Sequence, residues 1–160
     1  MPLTGWTNGI LTTTTSPCFT SFPGRYRSSE FPVKMYTGIS TTASILRLEF
    51  DFYEIDSWGN DAFAVFINCF TIQLGLFNVD KYQGMLGGFV EDVHFETNSL
   101  GSPTDLGFGG FDDQRHNVTI DLPSRFFNGL LQVQFGSNLD RVIDNKSYGI
   151  DNIKITAYQC

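Results

Sequence analysis

The 160-residue chain is poor in charge, poor in alanine and poor in cysteine, and each shortage excludes something. Asp, Glu, Lys and Arg make up 17% of the residues, with 10 basic against 17 acidic side chains and a net charge of −7. No cluster of Lys or Arg is present to neutralise phosphates, which argues against nucleic-acid binding. No run of 18 apolar residues occurs, so no membrane-spanning helix is expected. Met1-Pro2-Leu3 lacks the basic start and apolar stretch of a signal peptide. The three cysteines, Cys18, Cys69 and Cys160, form no CxxC or Cys/His group, so structural zinc is not expected. Nor does any stretch of ten or more residues show helical periodicity.

What is present favours strands. Phe occurs 16 times and Gly 16 times, and Thr, Ser and Asn are plentiful, a balance that suits many short strands and turns. Leu46, Leu48, Phe50 and Phe52 alternate with Arg47, Glu49, Asp51 and Tyr53, the period of a half-buried strand. Similar alternation appears at Val118-Ile120-Leu122, Leu131-Val133-Phe135 and Ile153-Ile155-Ala157. An edge strand is expected near residues 9–15, and further strands over 31–36, 62–70, 71–77 and 93–96. Residues 97–114, glycine-rich with Pro103, Asp105, Asp112 and Asp113, read as a long loop, a kind that is commonly functional. The expectation is one domain over residues 1–160, an all-β, two-sheet antiparallel β-sandwich of jelly-roll type.

The chemistry-bearing residues cluster at the ends of predicted strands. On the inward parity of the first strong strand, Phe52 is followed by Glu54 and Asp56, and Asp61 comes just after the break at Gly59-Asn60. Carboxylates on a core-facing side are costly unless paired, hydrogen-bonded or metal-bound. Asp151 shares the parity of Ile153 and Ile155, and Asn152 adds an amide oxygen. Calcium takes six to eight oxygens, so Glu54, Asp56, Asp61, Asp151 and Asn152 are candidate ligands if the two rims meet. The plainer reading is a polar loop with solvated acids, Asp151 accepting from nearby backbone amides. Glu49, Asp51 and Glu54 are the carboxylates a glycoside hydrolase would need, but Glu49 and Asp51 lie on the outward face. His94 and His116 are isolated in sequence. Cys69, on the parity of Phe63, Val65 and Ile67, reads as a buried core thiol.

Two stretches, LRLEFDFYEIDSWGNDAFAVFIN and SYGIDNIKIT, resemble a widespread β-sandwich module of secreted and surface proteins. It is found in large bacterial adhesins and in ciliate and algal extracellular proteins. The module carries FDFYxIDSWDxE and, near its end, DES[WF]GIDN. Gly5-Trp6 and Asp113-Gln114-Arg115-His116 match it more loosely. The resemblance implies a jelly roll like those of carbohydrate-binding and lectin-like domains, with calcium at the strand ends. It implies a non-catalytic extracellular or cell-surface role in recognition or adhesion, with a glycan or cell-surface ligand. A self-assembling structural subunit of a filament or coat is the second reading, and a hydrolase the third. Trp58, Asn60, Asp112, Asp113 and Tyr148 are candidate ligand-binding residues, though packing is the preferred reading for Trp58 and Tyr148.

The chain departs from the pattern where a metal would bind. Gly59 replaces an acid, Asp61 replaces a Glu, and Asn145-Lys146 replaces an Asp-Glu pair. If calcium is absent, Lys146 is expected to neutralise one of the acids in its place. Related ciliate modules carry a Cys near each end, and a jelly roll brings its first and last strands together. A Cys18–Cys160 disulfide is therefore expected, the alternative being three free thiols. Asn117-Val118-Thr119 and Asn145-Lys146-Ser147 fit the N-glycosylation pattern at Asn117 and Asn145.

Overall fold

The structure, a computed structural model, describes residues 5–13, 21–78, 85–108, 111–140 and 146–159. Cys18, Cys160 and Asn145 lie outside these residues, so the expected disulfide and the asparagine of one glycosylation triplet do too.

Twelve strands follow one another: β1 (Trp6–Thr7), β2 (Leu11–Thr13), β3 (Ser21–Tyr26), β4 (Val33–Thr37), β5 (Ile45–Asp56) and β6 (Gly59–Ile67). They continue as β7 (Phe70–Asn78), β8 (Met85–Val90), β9 (Val93–Ser99), β10 (Gln114–Pro123), β11 (Leu130–Ser137) and β12 (Lys146–Tyr158). A single 3-10 turn, Ser124–Phe126, is the one helical element among the described residues. No described helix is long and apolar enough to cross a membrane.

The strands form an antiparallel sandwich. One sheet has the order β1-β4-β11-β6-β7, the other β2-β3-β12-β5-β10-β9-β8. Four successive strands of each, β3-β12-β5-β10 and β4-β11-β6-β7, have jelly-roll connectivity, with the chain crossing repeatedly between sheets. The β8–β9 hairpin extends the second sheet beyond β10.

Alternation decides which side chains fill the space between the sheets. Leu46, Leu48, Phe50 and Phe52 of β5 meet Val118, Ile120 and Leu122 of β10, and Phe63, Val65, Leu131, Val133 and Phe135 face them from the other sheet. Phe52 is the hub. Its ring stacks on Phe63 at 4.0 Å and is met edge-on by Phe77 at 5.0 Å and Trp58 at 5.4 Å. The outer side of the β5 end is covered as well: Tyr53 and Ile55 pack in a second small cluster with Phe22, Leu106 and Phe108. Phe22 lies flat over the bare α-carbon of Gly149, where an added Cβ would come within 2.1 Å of its ring.

Three expectations are corrected. Residues 21–26, where the sequence suggests no strand, form β3. The strands expected at 62–70 and 71–77 are divided at Asn68-Cys69, a two-residue hairpin with φ of 46° and 70°. Cys69 is therefore exposed at a turn, not buried, because the hairpin ends the alternation at Ile67. Left-handed residues at both central positions match the tight hairpin turn that favours Asn-Gly. Replacing Cys69 by Gly removes a left-handed side chain costing roughly 1–2 kcal/mol, partly offset by glycine's unfolded-state entropy. Cys69→Gly is expected to raise the melting temperature by about 2–4 °C, read by calorimetry.

The third correction concerns Asp151. Its parity with Ile153 fails because β12 carries a bulge between Asp151 and Lys154, with Asn152 at φ 52°. The extra residue flips the alternation: Ile150 is buried, and Asp151 points the other way.

Candidate functional site

The inward carboxylates are where the strand parity of β5 puts them. At one end of the sandwich Glu54 and Asp113 are wholly buried, and Asp56 and Asp61 are nearly so. Each has a partner within the chain, while Glu54 Oε1 is a buried oxygen without one among the described residues. Glu54 Oε2 lies 2.7 Å from His116 Nε2, and His116 Nδ1 lies 3.1 Å from Ser99 Oγ. Asp113 Oδ1 accepts from the Asp56 amide at 2.9 Å, and its Oδ2 accepts from the Leu106 amide at 2.8 Å. Asp56 Oδ2 faces the Arg25 guanidinium at 3.3 Å. Asp61 Oδ2 accepts from the Gly59 amide at 2.8 Å and from Lys146 Nζ at 2.9 Å, while Lys146 also reaches Asp140 at 3.2 Å.

Burial sets the protonation states. Loss of solvent, reinforced by the charges of Asp61 and Asp113, pushes the Glu54 carboxyl up to about 9. The same loss pulls His116 down to about 3. At neutral pH the pair is two neutral groups, the protonated Glu54 donating to the Nε2 lone pair and His116 Nδ1–H donating to Ser99. Desolvation also raises Asp113 to about 6, against the two backbone amides that favour its anion. Burial alone would lower Lys146, but its hydrogen bonds to Asp61 and Asp140 outweigh that and hold it above its ordinary value.

Ser99, His116 and Glu54 have the residue types of a nucleophilic relay. The acid is neutral, however, and the imidazole is stacked at 5.3 Å on Phe52 and met at 5.0 Å by Phe77. All three groups are shut away from solvent. What the arrangement does chemically is hold β5, β9 and β10 in register.

The rim does not gather the candidate calcium ligands. Asp56 pairs in register with Lys146, and Asp151 with Asp51, five residues back along β5, a separation of about 16 Å at strand rise. Asp151 accepts from the Asn152 amide, and Asn152 Nδ2 donates to Asp51 at 2.7 Å. Arg115 at 2.6 Å and Asn117 at 3.2 Å complete that second group on the outer face of the seven-stranded sheet. Among the described residues no three His, Cys, Asp or Glu side chains converge as metal ligands would. The donor set does not fit a resident calcium ion: Lys146 and Arg25 already supply the positive charge at Asp61 and Asp56. Removing that charge leaves Asp61 nearly buried and uncompensated. Lys146→Ala is expected to cost about 2–3 kcal/mol, measured by urea denaturation.

The candidate ligand-binding residues are also dispersed. Trp58 is buried, its Nε1 donating to the Ser147 carbonyl at 2.7 Å. Tyr148 is fully buried, its hydroxyl donating to the Glu30 carbonyl at 2.7 Å. Neither ring has a face for a ligand, because both cap the aromatic core, and Asp113 is consumed by backbone amides. Only Asn60 and Asp112 are exposed. Asn117 is half-buried in mid-strand, its amide turned to Asp51.

A different surface has the form of a binding site. The outer face of the seven-stranded sheet is charged: Arg47 holds Asp121 through two 2.8 Å hydrogen bonds, and Arg115, Asp51, His94 and Glu96 stand beside them. The five-stranded sheet has only two charged residues in its strands, Lys34 and Asp61, both on inward parity. Its outer face carries Gln134, Phe66 and Thr71 in one row and Gly136, Ala64 and Gln73 in the next. The small side chains leave a trough of about 200 Å³ lined by Phe31, Phe66, Ala62, Ala64, Gln73 and Asn138, among others. Phe31 and Phe66 flank Gly136, where an added Cβ would meet the two rings at 2.8 and 3.1 Å. The sequence signal for this site was the absence of charge on alternate positions of residues 62–76 and 130–137.

A jelly-roll sandwich with one charged face, one neutral grooved face and a polar rim paired largely within the chain is what the geometry defines. Comparison of the chain with family models, curated proteins and solved structures gives no match.

Proposed function

We propose that this domain is a non-catalytic recognition module, extracellular or at the cell surface, that binds neutral glycan on the outer face of its five-stranded sheet. The observation that carries the reading is the trough between Phe31 and Phe66 on a face without outward charge. Aromatic edges and small apolar floor residues suit the C–H faces of a pyranose, and the amides of Gln73 and Asn138 both donate and accept toward hydroxyls. Uronic or sialic acids find no cation there, and the net charge of −7 repels them.

Calcium has no part in this reading, since Lys146 and Arg25 stand where it would. Melting curves in EDTA and in millimolar calcium are expected to coincide; a rise with calcium would return the metal to the rim.

The test is an array of neutral and acidic oligosaccharides, probed with the wild type, Phe66→Ala and Gln73→Ala. Neutral hits weakened about tenfold or more in Phe66→Ala are expected, the loss of one buried aromatic contact. Binding that ignores both substitutions would move the site elsewhere. An empty array would remove the glycan reading, and release of free sugar would replace it with a hydrolase.

A further inference from the structure

The outer boundary of the seven-stranded sheet is β8, and among the described residues no strand pairs with its far edge. Sheets protect such edges by shortness, charge, proline or irregularity. The other boundaries follow that rule: β1 and β2 have two and three residues, and the β6–β7 pairing of the remaining edge shifts register twice. β8 has none of these protections. Its six residues, MLGGFV, contain no charge and no proline, and its pairing with β9 runs from Met85 to Val90 without a shift.

Two further features sit on this edge. Phe89 is the most exposed large apolar side chain described, at 71%. Two residues away, a groove of about 210 Å³ lies over Gly87 and Gly88, walled by His94 and Glu96 of β9. Gly87 must remain bare, because a Cβ there would come within 2.7 Å of the Phe95 carbonyl. Gly87 and Phe89 share the outward face, while Leu86 and Val90 turn toward the core. Ring and groove thus lie on the same strand, on the same face, two positions apart.

We propose that β8 is a homodimer edge, where a second copy of this chain adds antiparallel about a two-fold axis at Gly88. That axis sets Gly88 opposite Gly88, and Phe89 of each copy opposite Gly87 of the other. Each ring then covers the bare backbone and fills the groove beside it. The contact is self-complementary, as a closed two-fold interface requires, and continues the sheet across both molecules. Charge permits it. The chain carries −7, but no ionised side chain lies on β8, and Glu91 and Asp92 just beyond it are both held by Arg125.

The full chain is expected to pass from monomer to dimer with concentration in sedimentation equilibrium over micromolar to submillimolar protein. Phe89→Lys puts a charge in the groove and on the edge, and is expected to weaken the dimer at least tenfold while leaving the unfolding midpoint unchanged at protein concentrations low enough for both chains to be monomers. Amide exchange supplies a second readout: the β8 amides should gain protection with concentration in the wild type and not in Phe89→Lys. A wild type that stays monomeric, a dimer indifferent to Phe89→Lys, or β8 exchange independent of concentration would each overturn the proposal.

Discussion

Glu54→Gln is expected to stabilise the domain by about 2–4 kcal/mol at pH 8 and to change little near pH 4.5. The folded Glu54 holds its proton to about pH 9, against an ordinary 4.5. Between those values the folded state binds a proton the unfolded state has released, so stability falls as pH rises through the window, by at most about 1.4 kcal/mol per unit. His116 acts oppositely: its pKa drops from 6.5 to about 3, so its stabilising contribution is lost as pH falls from 6.5 toward 3. From 4.5 to 6.5 the two slopes cancel. Asp113, raised from 3.8 to about 6, tilts the balance toward acid. The wild type should therefore be most stable near pH 4–5 and decline steadily above pH 6.5. Gln reproduces the protonated acid, offering an N–H to His116 Nε2 without a proton to lose, and the variant should be nearly flat from pH 6.5 to 9. Guanidinium unfolding across pH decides it. A wild type most stable at pH 8, or a variant with the same decline, would show that Glu54 is ionised in the fold.

Phe52→Ala is the largest loss expected. The ring is fully buried, stacks on Phe63 and on His116, and is met by Trp58 and Phe77. Removing such a side chain costs about 3–5 kcal/mol through transfer and cavity terms, a large part of the stability a domain possesses. A fall of roughly 10–15 °C in melting temperature follows for this size. Phe52→Leu, closer in volume, should cost about 1.5 kcal/mol or less. A loss below about 1 kcal/mol in the alanine variant would mean that the four neighbouring rings close over the gap.

Much of the fold was legible because β5, β10 and β11 each have one wet face and one dry one, and period-two alternation is the direct trace of that. The missed strands alternate in burial but do not show it in residue type. β3, SFPGRY, contains Pro23-Gly24, which reads as a turn, yet those residues let the strand approach Gly149 under the Phe22 ring. β8 has Gly87-Gly88 at its centre and too few side chains to show alternation. At the rim, parity placed Glu54 and Asp56 inward, and the substitution at Lys146 pointed to the cation that meets Asp61. The same parity argument reaches His116 through Val118 and Ile120, although His116 looks isolated along the chain. Arg25 and Ser99 carried no such signal: they meet the rim only through pairings with distant strands. The bulge at Asn152 was equally hidden, and it broke the parity that had placed Asp151 beside Asp56.

The central position of β5 also governs when the domain can come into being. Its two neighbours are β10 and β12, and the second ends about 100 residues downstream. At roughly 5–20 residues per second, synthesis reaches β12 some 5–20 s after β5. Through that interval Leu46, Leu48, Phe50 and Phe52 have no complete sheet to enter, and the nascent chain must be shielded or remain extended. Closure then waits on the last strand to emerge, and because Glu54 enters the interior as a neutral acid, the act of folding at neutral pH draws a proton from the surrounding water.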